Sequence, residues 1–405
     1  LVLADVALAA TLGEGTASMA DRCYDVTERL GGFLDRHLLL PLLDFLASKG
    51  TYDAAELEQS KLEVLFGTNM VDLAIDIYTE RKQEPPAAMM ERREEVLGTM
   101  QSLSAEVQPI LDLVQDQGRV NELKAERLFN ITYLQQQMGI TPHHVDVLQR
   151  YAKFVYDCGN YQQASKLLVN FRQLTTDPDK ALSAMWGKLA SEILTLNWDQ
   201  AVEDIQALRD AIEARANSPA LALMQQRCWL MHWALFVLGN HSNGRQVVAD
   251  LFFHDRYLNA IQTNAPHLLR YLAVAVVTSP RLRGRLKELV RVMGVERMNY
   301  SDPITRFLEA LYTDCNFEDA QQLLQECEVV LENDFFLSNC ANGGFAQDFL
   351  RHARLYIFET YCRIHERIDL RMLAQKLGME QVAPPPVSRP APQPRPLLHP
   401  PPTHP

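Results

Sequence analysis

Histidine and cysteine supply most of the reactive side chains in this chain, and their spacing offers little to catalysis. His143 and His144 are adjacent. Their side chains diverge on a helix, so both cannot ligate one ion from a single face. The pair reads as an ordinary helix start after Pro142. Cys362 and His365 lie three apart, a spacing that reaches one metal ion from a helix, but no second pair accompanies them, and a core position is the expectation. Seven cysteines are scattered at Cys23, Cys158, Cys228, Cys315, Cys327, Cys340 and Cys362, with no CxxC among them. An odd, unclustered set argues against a disulfide framework or a zinc site and for a reducing compartment. Most should be small buried hydrophobes on helices. No P-loop, GxGxxG, HExxH or GxSxG pattern occurs. The expectation is therefore no catalytic site, no metal, no cofactor and no small-molecule substrate.

One charged run has the composition of a contact site. Arg281, Arg283, Arg285, Lys287 and Arg291 fall within 11 residues. They are the candidate contact for a polyanion such as RNA, or for an acidic partner face; a solvated helix face is the plainer alternative. The chain as a whole points away from general nucleic-acid binding. Its formal net charge is -12, from 51 acidic and 39 basic side chains, and phosphate contacts need a basic surface.

The elements that carry these residues are helical. The chain has 405 residues, of which 47% are hydrophobic. Leu, Ala, Glu and Gln dominate, and β-branched runs are scarce, which favours helices over strands. No apolar run approaches the roughly 20 residues of a membrane span, so no membrane association is expected. Residues 1–18 open on LVLADVALAA without a basic region or an initial Met. They read as an upstream extension, with the natural start at Met19.

Residues 19–140 form an N-terminal helical region. Val26, Leu30, Phe33, Leu34, His37 and Leu38 share one face of a helix, or of two helices joined near Pro41. This stretch also matches a leucine-rich export signal; a helix packed on its neighbour is the expectation. A helical pair follows over 53–81. A long helix is expected from Ala88 to Gln115, with a heptad seam at Val96, Met100, Leu103, Val107, Ile110 and Val114 and a kink at Pro109. Leu123, Leu128, Ile131, Leu134 and Met138 offer a partner stripe for a hairpin closed around Gly118.

Residues 141–345 hold a degenerate repeat. Asn160-Tyr161 leads to Ala164, Asn197-Trp198 to Ala201, and Asn316-Phe317 to Ala320. Weaker copies stand at Asn240-His241 with Gly244 and at Pro280-Arg281 with Gly284. The anchors are spaced by 37, 43, 40 and 36 residues, a period that suits a lengthened tetratricopeptide-like helix-turn-helix unit. The small residue permits close helix approach. The aromatic wedges between units, and the Asn suits the turn by tolerating a left-handed backbone. The fold class is thus all-α, a right-handed solenoid of helical repeats.

Residues 346–381 read as a strong helix, a short extended stretch near Ile368 and a compact helix over Leu370 to Leu377. That is how a winged helix begins. Leu370, Leu373 and Leu377 are candidates for a subunit interface. From Pro384 to Pro405, 11 of 22 residues are proline, so residues 382–405 should form an extended, disordered tail.

Repeats running into a winged helix resemble the PCI-domain proteins, scaffold subunits of the proteasome lid, the COP9 signalosome and translation initiation factor 3. Longer segments narrow the likeness. FLDRHLLLPLLDFL at 33–46, TNMVDLAIDIY at 68–78, RYAKFVYDCGNYQQAS at 150–165, QRCWLMHWALFV at 226–237, PHLLRYLAVAVV at 266–277 and LYIFETYCRIH at 355–365 resemble the E-subunit family of eukaryotic translation initiation factor 3. The resemblance runs from about Met19 to Met379. It implies a non-catalytic cytoplasmic scaffold, with a nuclear pool also conceivable. Its implied partners are the other subunits of that factor and the small ribosomal subunit, and its implied role is messenger RNA recruitment. Two departures stand out. The family continues past the short helix with a second helix and a β-wing, where this chain has its proline tail. The stretch NCANGGFAQDF at 339–349 is longer and richer in glycine than the family's. With residues 1–18, these features point to an alternative or mispredicted gene product, and to weakened assembly. Two readings compete with the initiation-factor scaffold. One is a PCI subunit of the proteasome lid or signalosome. The other is a helical-hydrolase-like enzyme, which would require a buried pocket of convergent titratable groups.

Overall fold

Apolar residues recur at helical spacing along nearly the whole chain, and helices are what form. The computed structural model describes residues 24–215, 218–340 and 343–365. The initial extension, the winged-helix start with Leu370, Leu373 and Leu377, and the proline tail lie outside these residues. Among the described residues no strand occurs. A short helix α1 (Thr27–Gly31) precedes α2 (Arg36–Lys49), α3 (Ala54–Phe66) and α4 (Val71–Glu80). The long helix α5 spans Ala87–Gln115 and is followed by α6 (Gln117–Ala125) and α7 (Ile131–Met138).

The stacked units then begin. They comprise α8 (Pro142–Asp157), α9 (Tyr161–Leu174), α10 (Pro178–Leu194), α11 (Trp198–Glu213), α12 (Ala220–Leu238), α13 (Gly244–Phe252), α14 (Asp255–Asn264) and α15 (Leu268–Thr278). A 3-10 turn at Pro280–Arg285 leads into α16 (Leu286–Glu296), α17 (Pro303–Tyr312), α18 (Phe317–Asn333), the single-turn α19 (Phe335–Ser338) and α20 (Ala346–Ile364). From α8 to α13 each helix packs on the next, as does α18 on α17, and α20 closes on α15, α17 and α18. This is the sequential packing of a helical solenoid.

The repeat anchors are found where the sequence puts them, but one role moves. Ala164, Ala201 and Ala320 are fully buried where the second helix of each pair meets its neighbours. The left-handed residue is not the Asn. It is the residue just before the Asn, two positions before the second helix: Gly159, Leu196 and Cys315, at φ 86°, 59° and 51°. The Asn instead stands at the N-cap. Asn160 accepts from Gln163 N at 3.2 Å, and Asn316 accepts from Glu318 N and Asp319 N. A short side chain that accepts from orphan N–H groups is what an N-cap demands. Asn197 departs from its siblings and donates to Glu192 Oε2 at 2.8 Å. At the Asn240 copy, a Cβ on Gly244 would overlap Val237 O, so the two helices touch through bare backbone. The Pro280 copy is different in kind. Its residues form the 3-10 turn, and Gly284 has open space around it.

At the N-terminus one open reading is decided and one expectation changes. Pro41 lies inside α2 without dividing it. The long helix α5 likewise runs through Pro109 and finds its principal neighbour in α8 rather than in a hairpin with the Leu123 stripe. Leu123 and Leu134 are still buried in the same core.

The N-terminal segment does more than precede the repeats: it lies across them. Trp233 Nε1 donates to Phe33 O at 3.0 Å, and Phe33 stacks on His232 with centroids 4.0 Å apart. Arg270 Nη2 donates to Tyr24 O at 2.6 Å. Tyr156 OH donates to Asp35 Oδ1 at 2.9 Å, and Phe45 meets Phe335 edge-on at 5.4 Å. In α2, His37, Leu38, Leu39, Leu40, Leu42, Leu43, Phe45 and Leu46 are all buried. A helix covered on most of its circumference belongs inside a fold, not on its surface. The leucines of the export-like pattern are accordingly packed away.

Candidate functional site

The buried titratable groups are closed upon themselves. Arg270, 2% exposed, extends from α15 between two helix starts. Its Nε meets Asp302 Oδ2 at 2.8 Å and its Nη1 meets Asp334 Oδ2 at 3.0 Å. Asp302 caps α17 through Thr305 N, and Asp334 caps α19 through Phe336 N. Tyr300 donates to Asp302, and Tyr271 to Asp334, each at 2.9 Å. Two carboxylates against one guanidinium leave a surplus negative charge, and two helix N-termini face it. Burial raises the pKa of Asp334 against the pull of Arg270. Removing one partner from such a network typically costs about 3–5 kcal/mol, because a buried charge is left uncompensated.

A second closed set joins α12 and α15. His232 Nδ1 lies 2.7 Å from Cys228 O, and His232 Nε2 lies 2.9 Å from His267 Nε2. A carbonyl only accepts, so His232 donates through Nδ1 and accepts from His267 at Nε2. Burial pulls His232 down to about 4. Burial first, then the charges of His232, Arg29 and Arg270, pull His267 to about 2. Both rings are neutral at pH 7.

Neither set opens on a cavity suited to a substrate. The cleft that reaches Arg270 and Asp334 has about 50 Å³, far below the few hundred Å³ of a small-molecule site. The thiols of Cys158, Cys228 and Cys340 are not activated either. Burial pushes Cys158 and Cys228 up to about 11 and Cys340 up to about 12, whereas a nucleophilic thiol needs the opposite shift. His143 and His144 sit at the start of α8, where Thr141 and His144 form a capping box. His365 stacks on Tyr361 at 4.0 Å. Among the described residues no cluster of three or more potential metal ligands occurs, and no helix is long and apolar enough to cross a membrane.

The basic run divides in two. Arg283 pairs with Glu359 and lies over the Tyr356 ring, so it ties the 3-10 turn to α20. Arg285 pairs with Glu288 at 3.1 Å and lies over Phe253. Arg281, Lys287 and Arg291 are exposed. None of these three makes a salt bridge within the described residues. The large apolar side chains Leu355, Phe358 and Ile364 are 51%, 37% and 50% exposed on α20. The aromatics at the repeat turns contact different partners. Tyr161 reaches His37 of α2 at 3.0 Å, whereas Phe317 meets Tyr361 of α20 edge-on at 5.3 Å.

Sequence reading missed three groupings: the Arg270 network, the histidine pair and a cleft lined by Trp186, Trp229 and Trp233. Only the last left a signal. Trp229 and Trp233 are one helical turn apart on a segment that is mostly apolar apart from His232.

Helix stacked on helix, closed polar networks and paired or solvated charges define an all-α helical-repeat protein built around its own packing. A family model described as the eIF3 subunit 6 N terminal domain matches residues 25–155. The E subunit of eukaryotic translation initiation factor 3 from Arabidopsis thaliana is 42% identical over 364 residues, covering 88% of this chain and 82% of that protein. Its counterpart in Emericella nidulans is 43% identical over 368 residues, covering 88% and 81%. The Schizosaccharomyces pombe counterpart is 42% identical over 374 residues, covering 88% and 74%. The chain belongs to the E-subunit family of eukaryotic translation initiation factor 3.

Proposed function

We propose that the chain is a non-catalytic scaffold subunit of eukaryotic translation initiation factor 3, working in the cytoplasm. Its role is to hold other subunits of the factor in fixed positions, so that the assembly can engage the small ribosomal subunit and recruit messenger RNA. The observation that carries this reading is the joint one: relatives from the E-subunit family match most of the chain, and the buried Arg270 and His232–His267 networks bond within themselves instead of converging on a substrate cavity. A solenoid is suited to such a role because each unit packs only on its neighbours and leaves an extended surface for partners.

The surfaces that fit partners lie toward the C-terminal end. Leu355, Phe358 and Ile364 on α20 precede Leu370, Leu373 and Leu377, the proposed subunit interface. Exposed apolar side chains of this size belong in contact with another protein. Arg281, Lys287 and Arg291 are the residues of the basic run left for ribosomal RNA or an acidic partner face; Arg283 and Arg285 are held within the chain. Asn160, Tyr161, Ala164, Asn197, Trp198, Ala201, Asn316, Phe317 and Ala320 set the spacing of the units rather than contact partners.

Affinity purification of the full chain from eukaryotic cells, followed by sedimentation, tests the proposal. Initiation-factor subunits are expected to co-purify, and the complex is expected to travel with small ribosomal subunits. Leu355→Asp with Phe358→Asp should reduce subunit recovery at least tenfold while leaving the helical content intact. Recovery of proteasome-lid or signalosome subunits instead would favour the competing scaffold reading.

A further inference from the structure

Three of the chain's four tryptophans line one cleft. Trp186 comes from α10, and Trp229 and Trp233 from successive turns of α12. Trp186 meets Trp233 at 4.9 Å and an interplanar angle of 83°, and meets Trp229 at 6.3 Å and 85°. Both α12 indoles therefore stand at right angles to Trp186, and the rings form a corner. The cleft they border has about 250 Å³ and is open to solvent. Tight core packing would have closed a space of this size.

The polar lining carries two carboxylates, Asp35 and Asp179, against one cation, Arg215. Asp35 is 5% exposed and lines the cleft. Its Oδ1 takes both the His37 N–H at 3.1 Å and the Tyr156 OH at 2.9 Å, and a carboxylate has acceptor sites beyond these two. Gln226 Oε1 is buried and accepts no hydrogen bond within the chain. A buried acceptor without a donor costs free energy that a ligand N–H recovers. The one cation in the lining, Arg215, is already paired with Asp179. The net demand is for a positively charged group with several donors and a flat face.

We propose that this cleft receives an arginine side chain presented by a partner peptide. A guanidinium satisfies each demand at once. Its plane can lie against the partly exposed Trp229 ring at the mouth of the corner, and indoles are the strongest cation–π partners. Its fork of N–H donors reaches a carboxylate and an amide oxygen together. An ammonium offers charge without a plane. A neutral aromatic fills the corner but leaves the Asp35 charge unneutralised and offers few donors for Gln226 Oε1. The site lies on α10, α12 and the N-terminal segment, away from the apolar side chains of α20 and from the basic run. The proposal therefore goes beyond the scaffold reading.

The test uses the full chain labelled at its four indole nitrogens, so that four indole N–H signals report on it. The probe is acetyl-arginine-amide, titrated to about 50 mM, a range that captures millimolar affinity. Acetyl-citrulline-amide, acetyl-lysine-amide and acetyl-tryptophan-amide are the controls. The signals of Trp186 and Trp229 are expected to shift with saturation for arginine, while Trp198, on α11 outside the cleft, stays in place. Citrulline should bind at least tenfold more weakly. Gln226→Met, which removes the unpaired acceptor while keeping the side chain's length, should weaken arginine about tenfold, and Asp35→Asn at least as much. Equal binding of citrulline, tighter binding of lysine or tryptophan, or no saturable shift at Trp186 and Trp229 would each overturn the assignment. Because the probe reads the isolated chain, its result is independent of which complex the protein enters.

Discussion

His232 and His267 show how burial converts an ordinary residue into a stability term that depends on pH. In the fold the two rings titrate near 4 and near 2, against a usual value of 6.5. The unfolded chain therefore holds more protons than the folded one below pH 6.5. Stability from this pair is complete above about pH 6.5 and declines as pH falls through 6 and 5 toward 4, with His267 continuing to lower pH. Each imidazole adds a slope of about 1.4 kcal/mol per pH unit in that window. Urea unfolding at pH 7.5, 6 and 5 should show the midpoint falling steeply. The substitution His267→Gln keeps a donor for His232 Nε2 but cannot titrate. Its midpoint should fall less steeply than the parent's by about one proton's worth of slope, and parallel pH profiles would show that the pair is not responsible. The geometry also places the consequence. His232 carries the stacked Phe33 ring, so acid should loosen the N-terminal segment before the distant helices.

At the scale of elements, the repeat junctions share a plan that one of them follows at a cost. Gly159 turns the chain before α9 at φ 86°, where glycine carries no Cβ penalty. Leu196 makes the same turn before α11 at φ 59°, and its side chain is 67% exposed. A left-handed leucine costs roughly 1–2 kcal/mol, part of which glycine returns through its freer unfolded state. Leu196→Gly should therefore stabilise the chain by up to about 1 kcal/mol in thermal or urea unfolding. Asn316→Ala, which strips the cap from α18, should destabilise it by about 0.5–2 kcal/mol. A stabilising result for both, or for neither, would count against the shared plan. These junctions also mark what was legible in the sequence. The period, the buried Ala164, Ala201 and Ala320 and the helical identity of the segments all follow from spacing. The turn conformation does not, because Gly, Leu and Cys fill one backbone role and only glycine advertises it. The unbroken α2 was equally hidden. Pro41 argues locally for a break, and only the burial of Leu38, Leu39, Leu42 and Leu43 against distant helices outweighs it. The tryptophan cleft needed the same long-range knowledge, since Asp35 and Trp233 meet across nearly two hundred residues of chain.

At the scale of the whole molecule, the N-terminal segment decides how the protein unfolds. A simple solenoid has only neighbour contacts, so its units can melt in sequence from either end. This one carries a strut. Tyr24, Phe33, Asp35 and Phe45 bond or stack with Arg270, Trp233, Tyr156 and Phe335 respectively, which belong to widely separated units. One continuous hydrophobic core joins the strut to the repeats from Val26 to Ile357. Loss of any of these units exposes the strut, and loss of the strut uncovers all of them. Far-UV circular dichroism and tryptophan fluorescence are therefore expected to report one coincident transition, the mark of two-state behaviour. Phe33→Ala with Leu39→Ala removes two buried groups from the strut at an expected cost of about 2–5 kcal/mol each, Phe33 toward the lower end because it is only partly buried. In that variant, tryptophan fluorescence should change before the helical signal, because Trp233 bonds to the strut at Phe33 and meets Trp186, while α17, α18 and α20 hold one another. Hydrogen exchange gives the sharper reading. Protection should fall at residues 228–237 and 335–337, some two to three hundred positions from the substitutions. Loss confined to residues 24–66 would show that the segment merely rests on the solenoid and does not tie it together.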